Sequence, residues 1–223
     1  GVSFEINGPE LIGLIGPNGA GKTTLTNVLD GAIKPNSGTV YLGGNRIDQL
    51  QPFEVARHGL GRTFQVTRSF RRMTVLENLM VPALALDQGL SRSEIDDKAM
   101  EVLEFLTVDH LRNEYAKSLS GGQQKLLELG RLLMLNPDVI ILDEPFAGVH
   151  PKLMEIIYKY IERVNNDGTA IILISHQMDS IFSLCKRLLV LNYGDLIADG
   201  TPDVVKNDPT VIEAYLGSDD EED

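Results

Sequence analysis

Residues 16–24 read Gly-Pro-Asn-Gly-Ala-Gly-Lys-Thr-Thr, between the apolar run Leu11–Ile15 and a helix-compatible stretch, Lys22–Leu29. An order of strand, glycine-rich loop and helix constrains the fold more than any other feature of the chain, because it is the setting of a phosphate loop. Gly16, Gly19 and Gly21 allow positive φ, so backbone N–H groups can turn inward around an anion, and the helix start adds unpaired donors. Pro17, Asn18 and Ala20 complete the cradle. Lys22 supplies a charge that reaches β- and γ-phosphates, and Thr23 a hydroxyl for Mg²⁺, as the spacing requires. Thr24 is either structural or a phosphate contact. A chance glycine turn would not also bring the strand, the spacing, the Lys and the Thr.

A second apolar run, 139–142, ends in Asp143-Glu144-Pro145. Four apolar residues closed by carboxylates read as a buried parallel strand with an acidic C-terminal end, which is where open α/β sheets bind ligands. Taken alone, such a pair is more commonly two solvated loop charges. Downstream of a phosphate loop, Asp143 is placed to hold Mg²⁺ from its outer shell, and Glu144 to orient or deprotonate an attacking water.

Leu119-Ser120-Gly121-Gly122-Gln123-Gln124 precedes a helical pattern containing Leu126, Leu127, Leu129, Leu132, Leu133 and Met134, with Ser120 as a good N-cap. It is a second anion-receptive helix start. In isolation, serine and glycine there mark an ordinary capped loop.

With these motifs together, the chain resembles the ATP-binding subunits of ABC transporters, from Gly1 to about Gly217. The resemblance makes residues 16–24 the Walker A motif, 139–144 the Walker B motif with Glu144 catalytic, and Ser120 to Gln123 part of the ABC signature. Gln65, in Arg62-Thr63-Phe64-Gln65, becomes the Q-loop residue, joining Thr23 and Asp143 at the metal; His176, in Ile174-Ser175-His176, becomes the switch histidine. Without the family, His176 is a plain strand-end residue and Gln65 carries no weight. Residues 61–65, 73–78, 125–129, 146–151, 200–203 and 213–217 look like the hydrophobic and branched-chain amino-acid importer ATPases. Urea or amide importer and lipopolysaccharide-export ATPases share parts of this set.

Two departures from the family pattern stand out. The aromatic that stacks on adenine lies upstream of Walker A in the family, whereas this sequence starts at Gly1; the expectation is a truncated start lacking that residue, with Phe4 a core strand residue. The other departure is His150, where the family usually carries Asp or Asn in the loop that meets the partner subunit.

Composition narrows the setting. At 223 residues and 43% hydrophobic, the chain can bury a full core. Its uninterrupted apolar segments run to four or five residues, far from the roughly 20 that cross a bilayer. Membrane work must then pass through partners. No secretory signal pattern opens the sequence. A net charge of −12 opposes sequence-independent binding of nucleic acid, so none is expected as a partner. The acidic end, 219–223, reads as a solvated, disordered tail, and the remaining acidity would suit a high-salt cytoplasm. A single cysteine, Cys185, excludes an internal disulfide and reads as a small buried apolar residue.

Strand candidates 2–6, Leu11–Ile15, 139–142, Ala170–Ile174 and 188–191 alternate with helical patterns, implying parallel strands covered by helices. Between Gln65 and Gln124 strand patterns vanish; 74–85 and 93–106 read as helices, with Ser91-Arg92-Ser93-Glu94 as a helix entry. The expected fold is α/β, a P-loop NTPase (ABC ATPase) core with a parallel sheet and an inserted α-helical subdomain. The domain is expected to span 1–217, with core 1–64 and 125–217, the helical subdomain about 65–124, and a tail at 218–223. A single phosphate loop and no internal repeat exclude a tandem cassette, and the lack of sustained heptads weighs against a soluble ABC ATPase of chromosome maintenance.

The resemblance implies two chains sandwiching two ATP molecules, each between Walker A of one and the signature of the other. Homodimer and heterodimer both remain open. It further implies Gln65 relaying closure to a transmembrane permease, a solute delivered by an extracytoplasmic binding protein, and a peripheral position on the cytoplasmic face of the cell membrane.

Overall fold

The computed structural model describes residues 1–63, 69–86 and 89–216, and every structural statement below concerns those residues. Gln65, Gly217 and the tail 218–223 lie outside them, as do Asp87 and Gln88.

In chain order the elements are β1 (Leu11–Ile15), α1 (Lys22–Leu29), a short hairpin of β2 (Tyr41–Leu42) and β3 (Asn45–Arg46), α2 (Pro52–Arg57), β4 (Leu60–Arg62), α3 (Val75–Leu86), α4 (Arg92–Phe105) and α5 (Gly121–Leu135). There follow β5 (Val139–Asp143), α6 (Pro151–Asn166), β6 (Ala170–Ile174), α7 (Met178–Leu184), β7 (Arg187–Asn192), β8 (Asp195–Gly200), α8 (Pro202–Lys206) and α9 (Pro209–Leu216). The main sheet runs β4-β5-β6-β1-β7-β8, with the first five strands parallel and β8 antiparallel to β7.

Continuous apolar runs make these strands because both faces of the sheet are covered. Side chains alternate across the pleat, so Leu11, Ile15, Ile140, Leu142, Ile171, Leu173, Leu188 and Val190 enter one core. Ile12, Leu14, Ile141, Ile172, Ile174, Leu189 and Leu191 enter the other, with Leu25 and Leu29 of α1 against them. Parallel pairing brings the C-terminal ends of β1, β5 and β6 to one edge, where the loops after Ile15, Asp143 and Ile174 begin.

The helices α3, α4 and α5 pack on each other through buried Leu79, Ala83, Ala99, Leu103, Leu126 and Leu129. Gly130 lets them approach: a Cβ there would stand 2.8 Å from Leu79 Cδ2 and 3.0 Å from Leu106 Cδ1. Ser91 and Ser120 each close a capping box, with Glu94 and Gln123 as the reciprocal partners.

The segment 2–6 departs from the sequence expectation: it is not a strand. Its alternation is real, since Val2, Phe4 and Ile6 pack on the second core while Gly1, Ser3 and Glu5 are exposed. A strand also needs a neighbouring backbone. Here Gly1 O accepts from Leu196 N–H at 3.4 Å and Glu5 O accepts from the Arg187 side chain, while the β8 ladder is directed at β7. Phe4 is thus a core residue outside any strand. Conversely, β4 and β8 lacked a readable pattern, being three residues around Gly61 and an Asp- and Gly-containing edge strand.

Candidate functional site

The loop after β1 is held in shape by backbone demands that only glycine meets. Gly16, Gly19 and Gly21 have φ of 149°, 76° and 100°. A Cβ on Gly16 would overlap the carbonyl oxygen of Leu191 in β7. The turn between β7 and β8 braces the loop from outside, Gly194 N–H donating to Ala20 O at 2.9 Å. Gly21 then caps α1 in a left-handed conformation with no side-chain partner for the first helical N–H groups, which leaves them to an anion. Lys22 folds back along the loop, its Nζ donating to Gly16 O at 2.6 Å and Pro17 O at 3.0 Å. Burial lowers the Lys22 ammonium from its ordinary value, against the opposing pull of Glu144 and Asp143. Thr23 and Thr24 are exposed in the first turn of α1.

The ends of β5 and β6 face that lysine. Asp143 donates its N–H to Thr63 Oγ1 at 2.9 Å and accepts at Oδ2 from Arg62 Nη2 at 3.3 Å. Glu144 sits just past the strand at φ 50°, a strained position for a non-glycine residue. Its N–H donates to Ile174 O at 2.9 Å, which fixes the strain in place. The Glu144 side chain is 12% exposed, and its Oε1 has no hydrogen-bond partner. Burial raises its carboxyl above the ordinary 4.5, opposed by His176 and Lys22 and reinforced by Asp143. His176 Nε2 stands 3.6 Å from that oxygen, its own side chain 67% exposed.

Of the residues singled out in the sequence, Lys22, Asp143, Glu144 and His176 therefore converge, together with the loop 16–21. Gln65 falls outside the described residues. Ser120 to Gln123 do not join them: no hydrogen bond or ion pair links these residues to the phosphate loop, Asp143, Glu144 or His176. Ser120 Oγ accepts from Gln123 N–H at 3.3 Å, and Gln123 Oε1 accepts from Ser120 N–H at 2.9 Å. Gly122 abuts α6, where a Cβ would overlap Leu153 Cδ1, whereas a Cβ on Gly121 would meet nothing. His150 is the N-cap of α6, its Nδ1 accepting from Lys152 N–H at 3.3 Å.

Sequence reasoning missed Arg62 and Thr63 as neighbours of Asp143. Their approach depends on β4 lying beside β5, 80 residues apart for Thr63, and no local pattern carries that pairing.

Donors for a divalent ion are few. Among the described residues no group of three His, Cys, Asp or Glu side chains is arranged to hold a metal ion by itself. Magnesium bound with a nucleotide needs only one or two protein oxygens, the rest coming from phosphates and water. The Thr23 hydroxyl and the Asp143 oxygen not held by Arg62 fit that requirement.

Residues 1–147 match the family described as ABC transporter, and residues 196–221 match one described as branched-chain amino acid ATP-binding cassette transporter. The high-affinity branched-chain amino acid transport ATP-binding protein LivG of Salmonella typhimurium is 40% identical over 230 residues, covering 97% of this chain and 90% of that protein. Among solved structures, the ADP conformation of MJ1267, an ATP-binding cassette of an ABC transporter, superposes with a TM-score of 0.82 at 37% identity, covering 97% of this chain and 91% of that one. The dimeric structure of MJ0796, a bacterial ABC transporter cassette, superposes with a TM-score of 0.80 at 26% identity, covering 89% and 88%. The α/β core with its phosphate loop and strand-end carboxylates is that of a nucleotide-binding ATPase, and the chain belongs to the ATP-binding subunits of the ABC transporter family.

Proposed function

We propose that this subunit powers import of branched-chain or other hydrophobic amino acids, hydrolysing MgATP in a site completed by a second ATPase chain. The observation that carries the reading is Gly121. Among the described residues nothing requires glycine there, since a Cβ would meet open space. A bare helix start with free donors is what a partner's γ-phosphate could approach.

Each residue then has a task. Backbone N–H groups of residues 16–24 bind phosphates, and Lys22 leaves the carbonyls of Gly16 and Pro17 for phosphate oxygens. When bound, Mg²⁺ neutralises charge that develops on the phosphates, and Thr23, Gln65 and Asp143 would hold it. Glu144, raised by burial and free at Oε1, accepts the proton of the attacking water. His176, within 3.6 Å, orients that carboxylate and contacts the γ-phosphate. Ser120, Gly121, Gly122 and Gln123 bind the partner's nucleotide only when the two chains close, and that differential affinity is what shifts the equilibrium toward closure. Residues 1–217 would make one ABC ATPase domain, with core 1–64 and 125–217, helical subdomain about 65–124, and a tail at 218–223.

Permease partners have a seat away from the phosphates. A cavity of about 520 Å³ opens between α2, α3 and α5, lined by Phe53, Phe70, Val81, Pro82 and Arg131. Phe53 is 60% exposed, and Arg131 stacks 4.9 Å over the Phe70 ring. Arg62 and Ser69, which bracket Gln65 in sequence, also line it. A short permease segment docked there would meet Arg62 and Ser69. No described helix is long and apolar enough to cross a membrane, so permease docking would hold the subunit at the cytoplasmic membrane face. The solute would reach that permease from an extracytoplasmic binding protein.

The test is ATP hydrolysis by the complex recovered with its permeases. Binding protein loaded with leucine, isoleucine or valine should stimulate it. Stimulation confined to urea or amides, or recovery with a lipopolysaccharide-exporting permease, would overturn the amino-acid reading while leaving the ATPase intact.

A further inference from the structure

Arg62, the last residue of β4, has a side chain only 6% exposed, and its guanidinium reaches two other elements at once. Nη1 donates to Asn27 Oδ1 at 2.7 Å and to Asp30 Oδ2 at 2.6 Å, on the helix α1 and its C-cap. Nη2 donates to Asp143 Oδ2 at 3.3 Å. The short bonds go to α1 and the long one to Asp143, so the guanidinium is anchored on the phosphate-loop helix and reaches out to the carboxylate. Thr63, the next residue, holds the main chain of Asp143 through its Oγ1 and is itself fixed by donating its N–H to Ile141 O at 2.9 Å. Asp143 is thus gripped at its backbone and at Oδ2, and among the described residues Oδ1 makes no hydrogen bond.

We propose that Arg62 is a positioning residue for the metal site: it holds Asp143 by Oδ2 so that Oδ1 alone faces the magnesium of MgATP, and it ties that placement to α1. The proposal rests on the reading of Asp143 as a metal carboxylate. A carboxylate with one oxygen on a guanidinium has part of its charge already matched, so it is a weak direct ligand for a hard dication and a good acceptor for water bound to one. Charge counting points the same way. One guanidinium between Asp30 and Asp143 leaves the cluster at −1; without it, two poorly solvated carboxylates repel and neither holds a fixed direction. Lysine is a poor substitute, because a single ammonium lacks the planar fork that spans three acceptors on two elements.

The experiment measures ATP affinity of the full chain by calorimetry, first in EDTA and then across a magnesium titration. Arg62→Met alone would strand two carboxylates, so the decisive variant is Arg62→Met with Asp30→Asn, which removes the stranded charge. In that double variant, metal-free affinity should match the native chain, while the magnesium concentration needed for half of the metal-induced change should rise by about 10-fold or more, the usual cost of losing an outer-sphere partner. Arg62→Lys should fall between. A double variant with the native magnesium titration, or one that loses metal-free and metal-dependent binding in equal measure, would overturn the proposal and leave Arg62 a structural tie. Asp143→Asn separates the two levels: a native magnesium titration there would show that the metal reading of Asp143 itself fails.

Discussion

Two glycine-rich helix starts in one chain answer to different constraints. At the phosphate loop, the chain itself dictates glycine: Gly16 has φ 149° and no room for a Cβ beside Leu191, and Gly21 caps α1 at φ 100°. At the start of α5, Ser120 and Gln123 complete an ordinary capping box, and Gly121 has neither positive φ nor a neighbour. The first loop is finished by its own fold. The second is closed by its capping box yet bare on its outer side, where among the described residues a Cβ on Gly121 would meet nothing within 4 Å. On the function proposed above, a single subunit carries one nearly complete half-site and one face for another copy or a related subunit.

The sharpest way to break that contrast is to add the same methyl group at both loops. Gly16→Ala should abolish measurable ATP binding, since the new Cβ strikes backbone that cannot rotate away. Gly121→Ala should leave folding and ATP binding of the isolated subunit unchanged. Equal losses from the two, measured by calorimetry on folded protein, would erase the distinction.

Lys22→Ala comes next in size. Removing a charged donor should weaken ATP binding by about 10- to 100-fold and stop turnover, as losing a hydrogen bond to a charged group does. Native affinity together with native hydrolysis would contradict the phosphate-loop assignment.

Gly121→Asp should split the properties of one subunit. A carboxylate in the first turn of α5 favours the helix by roughly 0.3–1 kcal/mol, so the thermal midpoint should hold or rise. ATP binding to the isolated chain should persist, whereas ATP-dependent pairing should fail because the carboxylate would meet the partner's γ-phosphate. If midpoint and monomer binding drop instead, Gly121 serves this chain alone.

The smallest effect concerns Glu144. Burial holds its carboxyl above the ordinary 4.5, so ionisation costs stability in the folded chain. That cost is absent below the unfolded value and fully present above the raised folded one. Free of nucleotide and metal, Glu144→Gln should melt above the native protein at pH 7, and the gap should close as pH falls through the folded value toward 4.5. A gap that widens on acidification would reverse the sign of this account.

Legibility in the sequence followed the range of the interactions. Leu11–Ile15, Lys22–Leu29 and Ala170–Ile174 stand at the bounds their patterns implied, because apolar runs and glycine punctuation are local. Glu144 and His176 could be placed at strand ends for the same reason. Segment 2–6 misled because alternation reports a buried face but not a pairing partner. Arg62 was invisible as a neighbour of Asp143: the contact spans 81 residues and exists only because β4 lies beside β5. The sequence places His150 opposite a partner; within the chain it caps α6, its Nδ1 accepting from Lys152 N–H.

The most direct measurement of the central claim is the association state of Glu144→Gln under saturating MgATP. Glutamine keeps the size and an acceptor oxygen but cannot take the proton from water, so ATP should persist between two chains. Size-exclusion chromatography should show an ATP-dependent dimer where the native protein is mainly monomeric, and adding Gly121→Asp should dissolve it. For a heteromeric pair, the cognate partner is supplied in the same run. A correctly paired, ATP-saturated Glu144→Gln that hydrolyses at the native rate and never associates would contradict both the role of Glu144 and the two-chain site.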